Sequence, residues 1–156
     1  MHLQVALTSD YFYLHEENII MKTRFIIYGL TGWIAETVFT GLSSLLRGDL
    51  TMRSWTYIWM FPIYGLMIFL EPVHDGIRGL PVVYRGGVYT IIIFMIEYTT
   101  GWILRGLIGS CPWNYTGPYA VDGLITLSFI PVWFFGGLLF EKLHDFLIRE
   151  KVGDYY

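Results

Sequence analysis

Four apolar runs, each close to the length that crosses a lipid bilayer, constrain this chain more than any other feature of it. They cover residues 25–46, 55–73, 87–107 and 121–140, and each approaches the ~20 residues an α-helix needs to span the hydrocarbon core. Only 15% of the residues are charged, against roughly 25% in an ordinary soluble domain. The expectation is an all-α integral membrane protein of four transmembrane helices. Short connecting segments rich in Gly, Pro, Asn and charge make neighbouring helices antiparallel, and Pro62 and Pro131, placed inside the second and fourth spans, predict kinks there.

Basic residues set the orientation. With four spans, Lys22, Arg24, Arg78, Arg85, Lys142, Arg149 and Lys151 share one side, and Arg47, Arg53 and Arg105 share the other. The excess places both termini in the cytoplasm, in the plasma membrane or, for a prokaryote, the inner membrane. Residues 1–24 lack the basic start and long apolar region of a signal peptide. They are expected to form a flexible cytoplasmic extension; because Met21-Lys22-Thr23-Arg24 resembles a start, the first twenty residues are read either as a disordered extension or as an artefact outside the natural protein. Residues 141–156 read as a cytoplasmic tail. A net charge of -3 without a basic tract removes nucleic acid as a partner. The single cysteine, Cys111, excludes an internal disulfide and any multi-cysteine zinc site.

The chain contains an internal likeness. Phe25 to Glu36 aligns without gaps on Phe94 to Arg105, with Thr-Gly-Trp-Ile unbroken in both. The same offset of 69 superposes Pro62 on Pro131, and one inserted residue then brings Glu71-x-x-His74-Asp75 onto Glu141-x-x-His144-Asp145. Two repeated helical hairpins, related by a pseudo-twofold axis along the membrane normal, follow from this alignment.

Ionisable groups inside a span cost on the order of 3 kcal/mol unless paired or wet, so Glu36 and Glu97 are the first candidates for function. Both fall near mid-membrane. Glu36 belongs to a small, polar stripe on the first helix that includes Thr40. Arg105, equivalent to Glu36 under the repeat, offers an ion pair, and Tyr64 faces the same interior. The intramembrane polar cluster is therefore expected to be Glu36, Glu97, Arg105, Tyr64 and Thr40. It either lines a polar path or joins helices by hydrogen bonds. The two Glu-x-x-His pairs match part of the ligand set of four-helix di-iron sites. They sit at the cytoplasmic helix ends, however, roughly 16 Å from Glu36 at 1.5 Å per residue. They are read as charged ends in the headgroup region; no metal and no cofactor are expected. The uncharged loop Cys111 to Tyr119 should fold against the outer mouth, with Trp113, Asn114 and Tyr115 as its candidates. No histidine lies on that side to activate Cys111 as a nucleophile.

Several of these residues carry a family resemblance: Gly32-Trp33-x-x-Glu36, Pro62-x-Tyr64-Gly65, Glu97-Tyr98-x-x-Gly101-Trp102, and Trp113-Asn114-Tyr115 followed by Gly123. Together, over residues 25 to 140, they resemble the CmpB-like family designated ABC-transporter type IV permeases, which includes the animal transmembrane protein 229 proteins. Residues 54–60 depart from the small-residue and Gly-Pro pattern of that family. The resemblance implies transport. The chain contains no Gly-x-x-x-x-Gly-Lys-Ser/Thr phosphate loop, so a separate ATPase subunit or a second copy of the chain is the expected partner, besides the bilayer itself. The leading functional expectation is a small permease or permease-like subunit. An intramembrane enzyme acting on a lipid or quinone through Glu36 or Glu97, and a non-catalytic membrane scaffold, are the alternatives.

Overall fold

The computed structural model describes the backbone of residues 2–150 and, apart from His15, side chains from Asn18 onward. Lys151 and the end of the expected tail lie outside the described residues. Five α-helices dominate: α1 (His2–Leu46), α2 (Met60–Gly65), α3 (Glu71–Ile77), α4 (Val82–Ile108) and α5 (Ile130–Arg149). A 3-10 turn over Leu66–Leu70 joins α2 to α3, and a two-stranded ribbon, β1 (Ala120–Val121) and β2 (Ile125–Thr126), precedes α5. Within α1 the segment Asn18–Leu46, together with the whole of α4, is long and apolar enough to cross a membrane.

Three expectations about element boundaries are corrected. The backbone of residues 2–24 is helical and runs unbroken into the first span, instead of forming a separate extension. The second apolar run is helical only from Met60, and it changes pitch in its middle. Pro72 has no N–H to give Ile68, whose carbonyl instead accepts from Glu71. The shorter bond closes a 3-10 turn. The fourth run starts nine residues later than read and continues to Arg149. Asp122 and Gly123, both with positive φ, turn the chain between the two strands, a conformation that an Asp-Gly pair tolerates.

The prolines do not bend helices here. Pro62 stands in the first turn of α2 and Pro131 opens α5, where helical N–H groups have no intrahelical partner to lose. The carboxyl end of α1 closes on Gly48 at φ +91. Asp49 donates its N–H to Ser44 and Gly48 donates to Leu45, the paired bonds of a Schellman motif.

Glycines decide which helices meet. A Cβ on Gly32 would lie 2.3 Å from the Tyr64 ring, one on Gly29 2.7 Å from the Phe61 carbonyl, and one on Gly65 2.6 Å from Phe25. Thus α1 lies directly on α2. Gly86 meets Phe134 and Gly137 meets Tyr89 in the same manner, joining α4 to α5. The two pairs share a core of Tyr28, Leu70, Tyr89, Ile93, Phe140 and Leu147. Ile34, Val38, Ile91, Met95, Phe135 and Leu139 point outward and are more than half exposed, an apolar exterior of the kind that marks a membrane or protein contact.

Replacing Gly32 by Val should destabilise the fold by about 1–3 kcal/mol through overpacking against Tyr64. Gly106, with nothing within 4 Å of a Cβ, should accept Ala at no cost or gain up to about 1 kcal/mol. Thermal unfolding of both variants in detergent, followed by circular dichroism, checks the contrast.

Candidate functional site

The polar side chains of the interior fall into two groups. The first surrounds Glu97, buried on α4. One of its carboxylate oxygens accepts from the Tyr115 hydroxyl at 2.7 Å and the other from the Trp133 indole N–H at 3.2 Å. Tyr115 reaches it because the loop after α4 folds inward. Trp113 covers Gly101 and donates its indole N–H to the Leu124 carbonyl at 2.8 Å. Asn114 lies against Gly123, and the Tyr115 N–H donates to the Gly123 carbonyl. The three outer-loop candidates therefore have distinct positions: a lid, a spacer and a hydrogen-bond donor. Cys111 beside them is partly buried, which pushes its thiol above the ordinary range, so it is not primed as a nucleophile.

Glu36 lies within electrostatic reach of Glu97, and Tyr64 stands close to both carboxylates. Tyr64 and Thr56 are the polar neighbours of Glu36. Yet Glu36 Oε2, Thr56 Oγ1 and the indole nitrogen of Trp33, one turn away on the same face, are buried and make no hydrogen bond. Arg105 and Thr40 lie elsewhere. Arg105 is exposed and donates to the Asp122 carbonyl at 2.8 Å. Thr40 donates to the Thr37 carbonyl and accepts from the Trp55 N–H, fixing the returning loop. The fold thus brings together Glu36, Glu97, Tyr64 and Tyr115 and leaves Arg105 and Thr40 outside.

The second group was not recognised as a site in the sequence. Glu71 accepts from Tyr28 at 2.5 Å and from Arg24 at 3.0 Å. Glu141 accepts two bonds of 2.9 Å from Arg85 and one of 3.2 Å from Tyr89. Each tyrosine oxygen also touches a histidine from the opposite helix pair. Tyr28 lies 3.2 Å from His144 Nδ1, and Tyr89 lies 2.7 Å from His74 Nδ1. A phenol has one proton to give, and the guanidinium partners keep both glutamates as acceptors. Where the tyrosine gives its proton to the glutamate, the imidazole donates from Nδ1 and Nε2 carries the lone pair; in the other tautomer Nε2 of His74 donates to Asp145.

Those two Nε2 atoms face aspartates. His74 Nε2 is 3.3 Å from Asp145 and His144 Nε2 is 3.7 Å from Asp75, while Arg78 pairs with both carboxylates at 2.7 and 3.0 Å. Asp145, although partly buried, is held below the ordinary carboxylate range by its hydrogen bonds from His74 and Arg78. The imidazoles are 1% exposed and their rings meet edge to face at 5.2 Å. This corrects the expectation that the Glu-x-x-His segments are solvated helix ends. One signal was available: Arg24-x-x-x-Tyr28 and Arg85-x-x-x-Tyr89 have equal spacing, and each places its two side chains on one helix face.

A family model described as "Putative ABC-transporter type IV" matches residues 23–155. The chain belongs to this family. No solved structure matches the chain. The match takes in all of the side chains described above, from Arg24 to Asp145, so both polar groups lie within the part of the chain that defines membership.

Replacing Arg85 by Met leaves Glu141, 4% exposed, without its bidentate partner. Removing one member of a buried ion pair costs about 3–5 kcal/mol, so the variant should unfold at markedly lower temperature than wild type. Arg149→Met, which removes an exposed pair with Glu150, should change stability by under about 1 kcal/mol.

Proposed function

We propose that this chain is a multi-pass permease subunit in which four helical segments cross the bilayer as two hairpins of like orientation, with both termini cytoplasmic. Membership in a transporter family, two helices fit to span a membrane and the apolar exterior support it. The spacing of the functional side chains supports the duplication. An offset of 69 sets Glu36 against Arg105, whose partners differ. An offset of 61 sets Arg24, Tyr28 and Glu36 against Arg85, Tyr89 and Glu97, and the arginines and tyrosines serve like partners in like order. Glu71, His74 and Asp75 correspond likewise to Glu141, His144 and Asp145 at an offset of 70.

The observation that carries the permease reading is the set of orphaned polar atoms at Glu36. Buried polar groups without partners are costly, and such groups inside a membrane protein mark the path of a polar solute or ion. A carboxylate oxygen, a hydroxyl and an indole N–H offer acceptor and donor together, which suits a small polar solute bearing a positive charge. Glu97, both of whose oxygens are engaged, adds a second negative charge nearby. Energy for uphill movement comes from a separate ATPase subunit, since this chain carries no phosphate loop.

Purification from native membranes in mild detergent, followed by mass spectrometry, tests this reading. Wild-type protein should bring down an ATP-hydrolysing subunit and a stoichiometric small polar solute, and Glu36→Gln should keep the subunit while losing the solute. A chain that purifies alone and empty, or one whose solute survives Glu36→Gln, overturns the proposal.

A further inference from the structure

We infer that His74, His144 and Asp75 form a binding site for a divalent transition metal of the zinc class, with Asp145 completing it. Ligand atoms from His74, Asp75 and His144 all lie within 4.8 Å of one another. His144 Nε2 is buried and makes no hydrogen bond, and it is directed at the Asp75 carboxylate 3.7 Å away. Asp145 lies 3.3 Å from His74 Nε2, outside the group of three, and reaches it as a fourth donor only by moving inward. Two imidazoles and two carboxylates are the nitrogen and oxygen ligands that zinc and its neighbours accept in four-coordinate sites.

The surrounding hydrogen bonds prepare the histidines for this role. A metal-ligating imidazole donates its remote N–H to an acceptor that fixes tautomer and orientation. Here Tyr28 and Tyr89 stand at the two Nδ1 atoms and donate to Glu71 and Glu141, which Arg24 and Arg85 hold; a metal on Nε2 selects the tautomer in which Nδ1 donates to the tyrosine. The two Nε2 atoms face the aspartates. Arg78 holds the same Oδ1 atoms of Asp75 and Asp145 that face the two imidazoles, so metal binding displaces the guanidinium from them or turns each carboxylate to present its other oxygen. In a tetrahedral site with bonds of about 2.1 Å the donors stand ~3.4 Å apart, so binding draws the group inward by roughly an ångström. Asp75 is more than half exposed and can supply that movement.

This inference stands apart from the transport reading, because it is read on the isolated full-length protein. Chelator-stripped protein in detergent is titrated with Zn2+ alone, and the metal retained after desalting is counted by mass spectrometry. One Zn2+ per chain is expected, with a raised unfolding temperature. Cobalt in its place should give the visible absorption of a four-coordinate nitrogen and oxygen site. His144→Ala should abolish binding, and Asp75→Asn should weaken it at least about tenfold. Tyr28→Phe, which removes the hydroxyl shared by His144 and Glu71, should weaken it by about 10–100-fold and shift the cobalt spectrum with helical content unchanged. Absence of stoichiometric Zn2+ overturns the inference, as does binding that Asp75→Asn leaves intact. Asp75 is exposed, so the second outcome stands even if His144→Ala fails to fold.

Discussion

The exchange of hydrogen bonds between two helix pairs holds this molecule in one arrangement. Tyr28 on α1 touches Glu71 on α3 and His144 on α5, while Tyr89 on α4 touches Glu141 on α5 and His74 on α3. Between apolar helices in an apolar medium, hydrophobic burial gives no preference for one neighbour over another, so packing and polar contacts decide. Glycine contacts bring α1 to α2 and α4 to α5, but they act within each pair. The tyrosines, histidines and glutamates act between the pairs, and each buried group among them depends on a partner from another element.

The same requirement separates the two polar groups. Around the histidines nearly every polar atom has a partner, and the exceptions are Arg24 Nε and His144 Nε2. Around Glu36 three polar atoms are left over. A network that is satisfied fixes geometry, and one that is incomplete has room for something else. The two polar groups thus occupy different levels of the same bundle, and the helices α1 and α4 connect them, each carrying a tyrosine to one level and a glutamate to the other.

For the first and third apolar runs hydropathy placed the carboxyl ends of α1 and α4 to within one residue, because both are long helices whose apolar runs are uninterrupted. It failed for the other two. The run from Trp55 to Val73 is apolar throughout, but only its part from Met60 is helical, and Pro72 forces a 3-10 turn before it. The run from Val121 includes an Asp-Gly turn, and average hydropathy hides that pair. Glu36, Glu97 and Tyr64 were found by the cost of polar groups in a span. Arg105 was misplaced because an alignment of apolar letters, Thr-Gly-Trp-Ile, outweighed the sparser polar spacing.

The sequence by itself determined that long apolar helices form, where the longest two end, and which carboxylates are buried in them, since these follow from local composition and from the cost of taking charge out of water. It also held the paired Glu-x-x-His-Asp segments. Only the tertiary structure decided that each histidine is served by the tyrosine of the other helix pair, and that both imidazoles converge on one point. Contacts between residues 43 to 116 positions apart depend on crossing angles and register between helices, which glycine contacts and one missing N–H at Pro72 adjust by a few ångströms. No periodicity along the chain records that adjustment.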